Sequence, residues 1–190
     1  MFKQYIHKTW DGESWARDLG FEVRELHTQK ALQRFFLRSI FDRRWLEIKK
    51  RMKINDYILD AGCGMDQWVW FLNAKGFQVS GLDYSQQLVL LLKKQMPQYI
   101  WVQGPIQAIP LQDKSFDGVI SWGVIEHDEA GPKAALQEFF RILRPGGYLF
   151  VTTPLDTPAR EKTSRILYPY TEQNGFFFYS IFLQNESSLN

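Results

Sequence analysis

Apolar residues after position 56 fall into short runs separated by stretches with helical periodicity. The runs predict five strands, at 57–60, 77–83, 99–102, 116–121 and 148–153. The stretches between them predict helices at about 66–74, 85–95 and 133–143. Because strands that alternate with helices at this spacing are typical of βαβ units, we predict an α/β fold with a Rossmann-like, doubly wound and mostly parallel sheet.

The pattern before the first strand is different. Between residues 30 and 53, apolar side chains recur every three to four positions with arginines and lysines between them. This spacing predicts an amphipathic helix with a basic outer face. Such a helix can lie on a membrane surface, but the pattern favours a solvated face on a helix that packs against the core.

Composition narrows the chemistry of the chain. Its 190 residues carry 23 basic and 21 acidic side chains, a balance that argues against a dedicated nucleic-acid surface, so no DNA partner is expected. Cys63 is the one cysteine and the three histidines are far apart, so no metal site is expected. The sequence contains neither a signal peptide nor an apolar stretch of membrane-spanning length, and we expect a cytoplasmic protein without an integral span.

The loop after the first predicted strand carries the candidate chemistry. Asp60 ends the strand, and Gly62 and Gly64 follow, a spacing that lets the backbone turn sharply and lets a ligand approach it closely. Asp83 closes the second strand, where an acid is suited to accept hydrogen bonds from ribose hydroxyls. Gln67 replaces the third glycine of a dinucleotide fingerprint, and no phosphate-binding P-loop motif is present. We therefore expect an adenosine-containing ligand without phosphate.

Five segments resemble, in the right order and on the right elements, the motifs of class I S-adenosylmethionine-dependent methyltransferases with a type 11-like domain. They lie at 58–64, 81–85, 104–121, 124–127 and 140–147. The resemblance covers roughly residues 54–154. It implies S-adenosylmethionine as the cofactor and S-adenosylhomocysteine as its product. An NAD-dependent oxidoreductase is a third hypothesis, against which Gln67 counts.

The resemblance implies which residues lie at the methionine end of the cofactor. Asp60 would lie near the methionine ammonium, and the backbone of Ala61, Gly62 and Gly64 would line this end. One position departs from the family pattern, because Asp66 stands where a further glycine is usual. A carboxylate there could cap the following helix, but it adds charge near the cofactor carboxylate.

The resemblance also implies an adenosine end. Asp83 would hold the ribose, Tyr84 would flank the adenine face, and Pro105 and Ile106 would border the adenine edge. Many relatives have an acid at the position of Pro105. Because proline offers neither a carboxylate nor an N–H, adenine recognition would fall to the backbone around Ile106.

The acceptor side is less specified. Ser121 and Trp122 would lie beneath the cofactor. His127 has a side-chain pKa suited to a general base near neutral pH, although a structural role in the loop or a place beside the cofactor is the alternative. Aromatic residues near the N-terminus are candidates for a lid over the sulfonium or for core packing. These lid candidates are Tyr5, Trp10 and Trp15.

The last segment departs from the family. Residues 154–169 have a loop-like pattern, and an uncovered apolar run follows at 176–182. We therefore expect a sheet that lacks the C-terminal strand hairpin, and either a truncated sequence or an edge completed by a partner, most simply as a homodimer through this run. The domain then has three parts: an N-terminal lid and basic helix at 1–53, a cofactor-binding core at 54–154, and an incomplete acceptor and edge segment at 155–190.

The predicted function is methyl transfer from S-adenosylmethionine to a small-molecule acceptor by in-line displacement. The type of acceptor rests on family analogy alone. The alternative is a non-catalytic, methyltransferase-like binding or scaffold module that acts through a protein partner, which the departures at Asp66 and Pro105 and the incomplete C-terminal part would explain.

Overall fold

We describe the protein from a computed structural model. The structure describes residues 37, 39, 40, 42–65, 67–128, 130–154 and 178–184, and for residues 154 and 178–184 it describes only the backbone. Most of the predicted N-terminal part, 1–53, and of the C-terminal part, 155–190, therefore lies outside the described residues.

A six-stranded sheet forms the centre of the described fold. Its strands are β1 (Tyr57–Ala61), β2 (Gln78–Asp83), β3 (Ile100–Gln103), β4 (Phe116–Trp122), β5 (Leu143–Pro154) and β6 (Phe178–Gln184). The order across the sheet is β3-β2-β1-β4-β5-β6, in which the first five strands run parallel and β6 runs antiparallel to β5. This confirms the predicted doubly wound sheet. Its order reverses between β1 and β4, the place where such sheets bind ligands.

The described residues form four helices and one short 3-10 turn against this sheet. They are α1 (Arg43–Arg51), α2 (Gln67–Ala74), α3 (Gln86–Gln95), the turn Ile125–His127 and α4 (Lys133–Ile142). Neighbouring residues of β1 join different core clusters, since Ile58 packs with residues of α1, α2 and α3, whereas Leu59 packs with residues of α4. This alternation follows from the two-residue repeat of a strand and places helices on both faces of the sheet.

Helix α1 covers only part of the predicted basic amphipathic helix at 30–53, because a new helix begins after Asp42. Asp42 caps it, because its carboxylate accepts a hydrogen bond from the backbone N–H of Arg44 at 2.8 Å. Trp45 and Ile48 are buried, and the last turn of the helix is basic. The apolar face of α1 therefore packs on the core, where the helix contacts β5.

The C-terminal apolar run differs from its prediction. The sequence predicts an uncovered run at 176–182, whereas β6 is paired with β5 from Phe178 opposite Pro154 to Gln184 opposite Tyr148. The expectation that the run is unpaired is wrong, because the outer edge of β5 supplies backbone partners along all of β6. Within the described residues, this edge holds one antiparallel strand and no hairpin.

Candidate functional site

The loop after β1 lies at the carboxyl edge of the sheet. Gly62 has a φ of +82°, and a Cβ there would lie 2.6 Å from Cγ1 of Val124, so the fold requires glycine at this position. Gly64 has a φ of +50°, but a Cβ there would meet no atom within 4 Å. The two predicted glycines therefore differ. Packing requires Gly62, whereas the backbone at Gly64 borders open space in which a ligand can approach it.

Asp83, at the end of β2, joins two loops of this edge. Its carboxylate accepts hydrogen bonds from the backbone N–H of Gly64 at 3.1 Å and of Ser85 at 2.9 Å. Burial raises the pKa of Asp83, and these backbone hydrogen bonds oppose that shift. A carboxylate has about four acceptor positions, so Asp83 retains acceptor capacity for the hydroxyl groups of a ligand.

Asp60, near the end of β1, has a different environment. The residue is 2% exposed, and within the described part of the chain its carboxylate has no hydrogen-bond partner. The pKa of Asp60 is raised to about 8: burial is the largest cause, the charge of Asp83 adds to it, and the charge of Arg44 opposes both. Asp60 is therefore mostly protonated at neutral pH, and a cation placed beside it would favour its ionised form.

The ends of β1 and β4 are linked by a side chain of the predicted site. Ser121 is fully buried, and its hydroxyl donates a hydrogen bond to the backbone oxygen of Ala61 at 2.9 Å. Ser121 therefore holds the two central strands together at the switch point. Trp122 follows it, half-buried, with its ring centroid 5.6 Å from that of Trp68 on α2.

The predicted adenine side is formed by the segments after β2 and β3. The backbone N–H of Gly104 donates to the backbone oxygen of Asp83 at 3.0 Å, which holds these segments together. Tyr84 and Pro105 are exposed, whereas Ile106 is buried. Tyr84, which follows Asp83, and Pro105, which follows Gly104, are therefore held near each other by a backbone hydrogen bond between their neighbours.

His127 ends the short 3-10 turn that follows β4. Desolvation of its ring lowers the pKa of His127, although the residue as a whole is exposed, and a backbone hydrogen bond with Gly123 opposes the shift. The imidazole is therefore neutral at pH 7, the form in which it can accept a proton.

Sequence reasoning missed Arg44, which the fold brings to the same edge from α1. Its guanidinium carbon lies 5.0 Å from the ring centroid of Trp68 and 5.7 Å from that of Trp122. The alternation of charge and apolar residues indicates only that Arg44 is on a basic helix. Its position beside Asp60 results from the packing of α1 on the sheet, which the sequence pattern does not reveal.

Some predicted residues cannot be compared with the structure. Four of them lie outside the described residues: the lid candidates Tyr5, Trp10 and Trp15, and Asp66, which stands where the family usually has glycine. Among the described residues, no group of three or more acidic, histidine or cysteine side chains could hold a metal ion. In the same part of the chain, no helix has the length and apolar character needed to cross a membrane.

Comparison with known proteins shows which family the central part of the chain is similar to. Residues 59–151 match the family described as "Methyltransferase domain". This part of the chain is similar to class I S-adenosylmethionine-dependent methyltransferase domains, and the cofactor of that family is S-adenosylmethionine. The described residues fit this cofactor. A ligand can approach the backbone at Gly64, and the carboxylate of Asp83 can accept a further hydrogen bond. The carboxylate of Asp60 accepts no hydrogen bond from the described residues.

Individual relatives are similar over this region. A probable S-adenosylmethionine-dependent methyltransferase of Mycolicibacterium smegmatis is 36% identical over 99 residues, which are 51% of this chain and 37% of the relative. A malonyl-[acyl-carrier protein] O-methyltransferase of Enterobacter lignolyticus is 38% identical over 96 residues, 50% of this chain and 38% of the relative. The chain thus spans less than half of the length of either relative.

Solved structures share the fold. A SAM-dependent methyltransferase of Methanosarcina mazei superposes with a TM-score of 0.56 at 23% identity, covering 63% of this chain and 61% of that one. A protein of Pyrococcus horikoshii superposes with a TM-score of 0.58 at 22% identity, covering 85% of this chain and 77% of that one. At these identities the likeness shows the fold alone.

Proposed function

We propose that the protein is an enzyme that transfers a methyl group from S-adenosylmethionine to a small-molecule acceptor. The observation that carries this proposal is the pair of buried acids at the carboxyl edge of β1 and β2: Asp83 is tied to the glycine loop through Gly64, and Asp60 is buried and accepts no hydrogen bond from the described residues. When bound, the cofactor supplies a methyl group on a sulfonium, whose leaving group is already activated.

The residues of the chain then act mainly by positioning. Asp83 accepts hydrogen bonds from the ribose hydroxyls, and the backbone of Ala61, Gly62 and Gly64 lines the methionine end. Asp60 faces the ammonium, Tyr84 flanks the adenine, and Pro105 and Ile106 border its edge. Ser121 and Trp122 lie beneath the cofactor. Since the leaving group needs no further activation, alignment of donor and acceptor and exclusion of water account for the catalysis.

Calorimetric titration with S-adenosylhomocysteine tests the proposal, with NAD as the control ligand. We expect saturable binding of S-adenosylhomocysteine and none of NAD, because the chain lacks the third glycine of the dinucleotide motif at Gln67. Absence of heat and of any thermal shift at about 1 mM ligand, a concentration that detects interactions of about −4 kcal/mol, would falsify the enzyme assignment.

The class of methyl acceptor can be tested with a panel of compounds that begins with carboxylic acids. One relative is named as a malonyl-[acyl-carrier protein] O-methyltransferase, so a panel that begins with free and thioester-linked dicarboxylic acids, followed by phenols and amines, is the appropriate screen. We infer that His127, neutral at pH 7, serves either as the general base for such an acceptor or as part of the cofactor surroundings. A His127→Gln variant whose pH–rate profile keeps the wild-type shape would dismiss the base role.

The non-catalytic module is the second candidate, and Pro105 favours it, because an exposed proline offers no side-chain acceptor to the adenine amino group. Binding of S-adenosylhomocysteine without methylation of any member of the panel would support this module. Turnover of one acceptor would exclude it. A cytoplasmic location and the division at residues 53 and 154 stay predictions.

A homodimer also stays a prediction, and the outer edge of β6 is the surface through which we expect it to form. β6 is the last strand in the order of the described sheet, so its outer edge can pair with β6 of a second copy. Light scattering on the purified chain tests this pairing. We expect a dimer mass, and a monomer at high concentration would contradict the prediction.

A further inference from the structure

The chain between β3 and β4 returns to its own start. A Cβ on Gly104 would lie 2.7 Å from Cδ of Pro110, which shows how closely these two residues approach each other. Between them, the backbone N–H of Ala108 donates to the backbone oxygen of Pro105 at 3.2 Å, and residues 105–108 form a turn. We call it the adenine-side turn, because the proposed function places the adenine edge there.

Helix α4 holds the backbone just after this turn. The backbone N–H of Ile109 donates to the Glu138 carboxylate at 2.7 Å, and Nη2 of Arg141 donates to the backbone oxygen of Ile109 at 2.8 Å. Glu138 and Arg141 also pair with each other at 2.8 Å. Because residues three apart on a helix are neighbours on its surface, the two side chains form one clamp. The clamp fixes the main chain at the far end of the adenine-side turn.

A side chain of the adenine-side turn reaches the loop after β4. Nε2 of Gln107 donates to Oδ2 of Asp128 at 2.8 Å. Asp128 directly follows His127, and its other carboxylate oxygen accepts from the backbone N–H of Ala130 at 2.9 Å. The backbone oxygen of Asp128 accepts from the N–H of Gly131 at 3.0 Å. Asp128 therefore orders the loop that carries His127, and Gln107 attaches this loop to the turn.

Both partners of this hydrogen bond are held in place before it forms. Gln107 is exposed, and an exposed hydrogen bond gains little over the bonds to water that it replaces. Here the main chain on one side is fixed by the clamp on α4, and the Asp128 carboxylate on the other side is fixed by its Asx turn. Only the side chain of Gln107 has to be ordered, so the contact can transmit the position of one segment to the other.

The proline at the start of the turn makes the position of the backbone more important. In the proposed function, the backbone around Ile106 recognises the adenine, because Pro105 has no side-chain acceptor. A side chain can adjust to a base by rotation, whereas a backbone group meets it only if the main chain lies at the right distance. A bound adenine should therefore restrain the adenine-side turn, and the side chain of Gln107 with it.

We propose that Gln107 is a positioning residue: its hydrogen bond to Asp128 couples the binding of the methyl donor to the order of the loop that carries His127. The restraint that the adenine places on the turn passes through this bond to Asp128, so that the loop has less freedom when the donor site is filled. The inference rests on the proposed function and adds to it a connection between the donor side and the acceptor side of the site.

The test measures hydrogen exchange of single backbone amides by NMR, with and without saturating S-adenosylhomocysteine. Ala108 reports on the adenine-side turn, and Ala130 and Gly131 report on the loop, because their N–H groups bond to Asp128. In the wild-type protein we expect the ligand to slow exchange at all three amides by at least about threefold. In Gln107→Glu, which places a second carboxylate opposite Asp128, the slowing remains at Ala108 and is lost at the other two amides.

A reciprocal pair of substitutions separates this contact from a general effect on folding. The double variant Gln107→Glu with Asp128→Asn exchanges donor and acceptor: the new amide nitrogen can donate to the new carboxylate, while the amide oxygen still accepts from the N–H of Ala130. We expect the slowing at Ala130 and Gly131 to return. Gln112→Glu, the same substitution at another exposed glutamine between β3 and β4, is the matched control and keeps the wild-type responses.

Three results would overturn the inference and leave the proposed function standing. The wild-type protein binds S-adenosylhomocysteine but slows exchange at Ala108 alone; or Gln107→Glu keeps the slowing at Ala130 and Gly131; or the double variant responds no better than Gln107→Glu. In each of these cases the donor site binds its ligand and the coupling through Gln107 is absent. If the wild-type protein does not bind S-adenosylhomocysteine, the proposed function fails, and this inference fails with it.

Discussion

The acids at the two edges of the parallel sheet have different surroundings: Asp117 at the amino edge is partly exposed, and Asp60 at the carboxyl edge is buried. At the amino edge, Asp117 accepts hydrogen bonds from Arg144 at 2.8 Å and from the backbone N–H of Tyr57 at 2.9 Å. At the carboxyl edge, Asp60 has no described hydrogen-bond partner, and burial raises its pKa to about 8. A partnered carboxylate stabilises the fold, whereas a buried carboxylate without a partner destabilises it. The amino edge therefore contributes stability, whereas the carboxyl edge retains a group that can bind a ligand.

Asp83 combines both roles, so its removal should have the largest effect. In Asp83→Ala the backbone N–H groups of Gly64 and Ser85 lose their acceptor, and we expect the free energy of unfolding to fall by about 2–3 kcal/mol. The affinity for S-adenosylhomocysteine should fall by at least about tenfold. Urea unfolding and calorimetry measure the two effects.

The neighbouring N-cap provides the control for Asp83. Ser85→Ala removes the hydroxyl that accepts from the backbone N–H of Leu88 at 3.3 Å, which should cost about 1 kcal/mol of stability. It should leave the ligand affinity unchanged. If both variants weaken the ligand equally, the loss reflects damage to the loop, and the assignment of Asp83 to the ribose is wrong.

Asp60→Asn should change stability in the opposite direction and in a pH-dependent way. Because the pKa of Asp60 is about 8 in the folded state and 3.8 as a model value, the folded protein binds more protons than the unfolded chain between about pH 4 and pH 8. The wild-type protein therefore loses stability as pH rises through this range. We expect Asp60→Asn to be more stable than wild type by at least about 1 kcal/mol at pH 9.

The difference between the two proteins should be much smaller near pH 4, since wild-type Asp60 is then protonated in the folded protein and partly protonated in the unfolded chain. Urea unfolding of both proteins at pH 4 and pH 9 measures it. A difference that is the same at both pH values would mean that the stability effect does not come from the ionisation of Asp60.

Asp117→Ala should have the smallest effect and should concern stability alone. The ion pair with Arg144 is partly exposed, so its loss should cost about 1 kcal/mol. The affinity for S-adenosylhomocysteine should stay within about twofold, because Asp117 lies at the other edge of the sheet. A clear loss of affinity would show that the two edges are coupled, and the division into a stabilising edge and a binding edge would then be wrong.

Local sequence patterns predict most of the helices and strands of the fold. β1, β2 and β4 were predictable because each contains adjacent buried residues, such as Ile58 and Leu59 in β1 and Val119 and Ile120 in β4, as parallel strands do. β5 starts earlier than predicted, at Leu143, because the Pro-Gly-Gly sequence that follows suggests a turn, whereas Leu143 pairs with Phe116 across a register shift. The pairing of β6 depends on a contact between distant segments, which periodicity does not encode.

In the candidate site, too, residues with a local sequence signature could be predicted, whereas contacts between distant segments could not. Asp60, Asp83 and the glycines could be found because strand ends and turn residues have local signatures. Ser121 was predicted beneath the cofactor, and the structure adds its bond to Ala61. Arg44 could not be found, since its place beside Asp60 depends on how α1 packs against the sheet. The positions of Tyr5, Trp10 and Trp15 stay predictions.

The most direct measurement is the proton balance of S-adenosylhomocysteine binding at pH 7. Calorimetry in two buffers with different ionisation enthalpies gives the number of protons released. Wild-type Asp60 is mostly protonated at this pH, and the ligand ammonium favours the carboxylate, so we predict the release of nearly one proton and an affinity that rises with pH up to about 8. Asp60→Asn should release none. Binding without proton release in the wild-type protein, or no binding at all, would contradict the account.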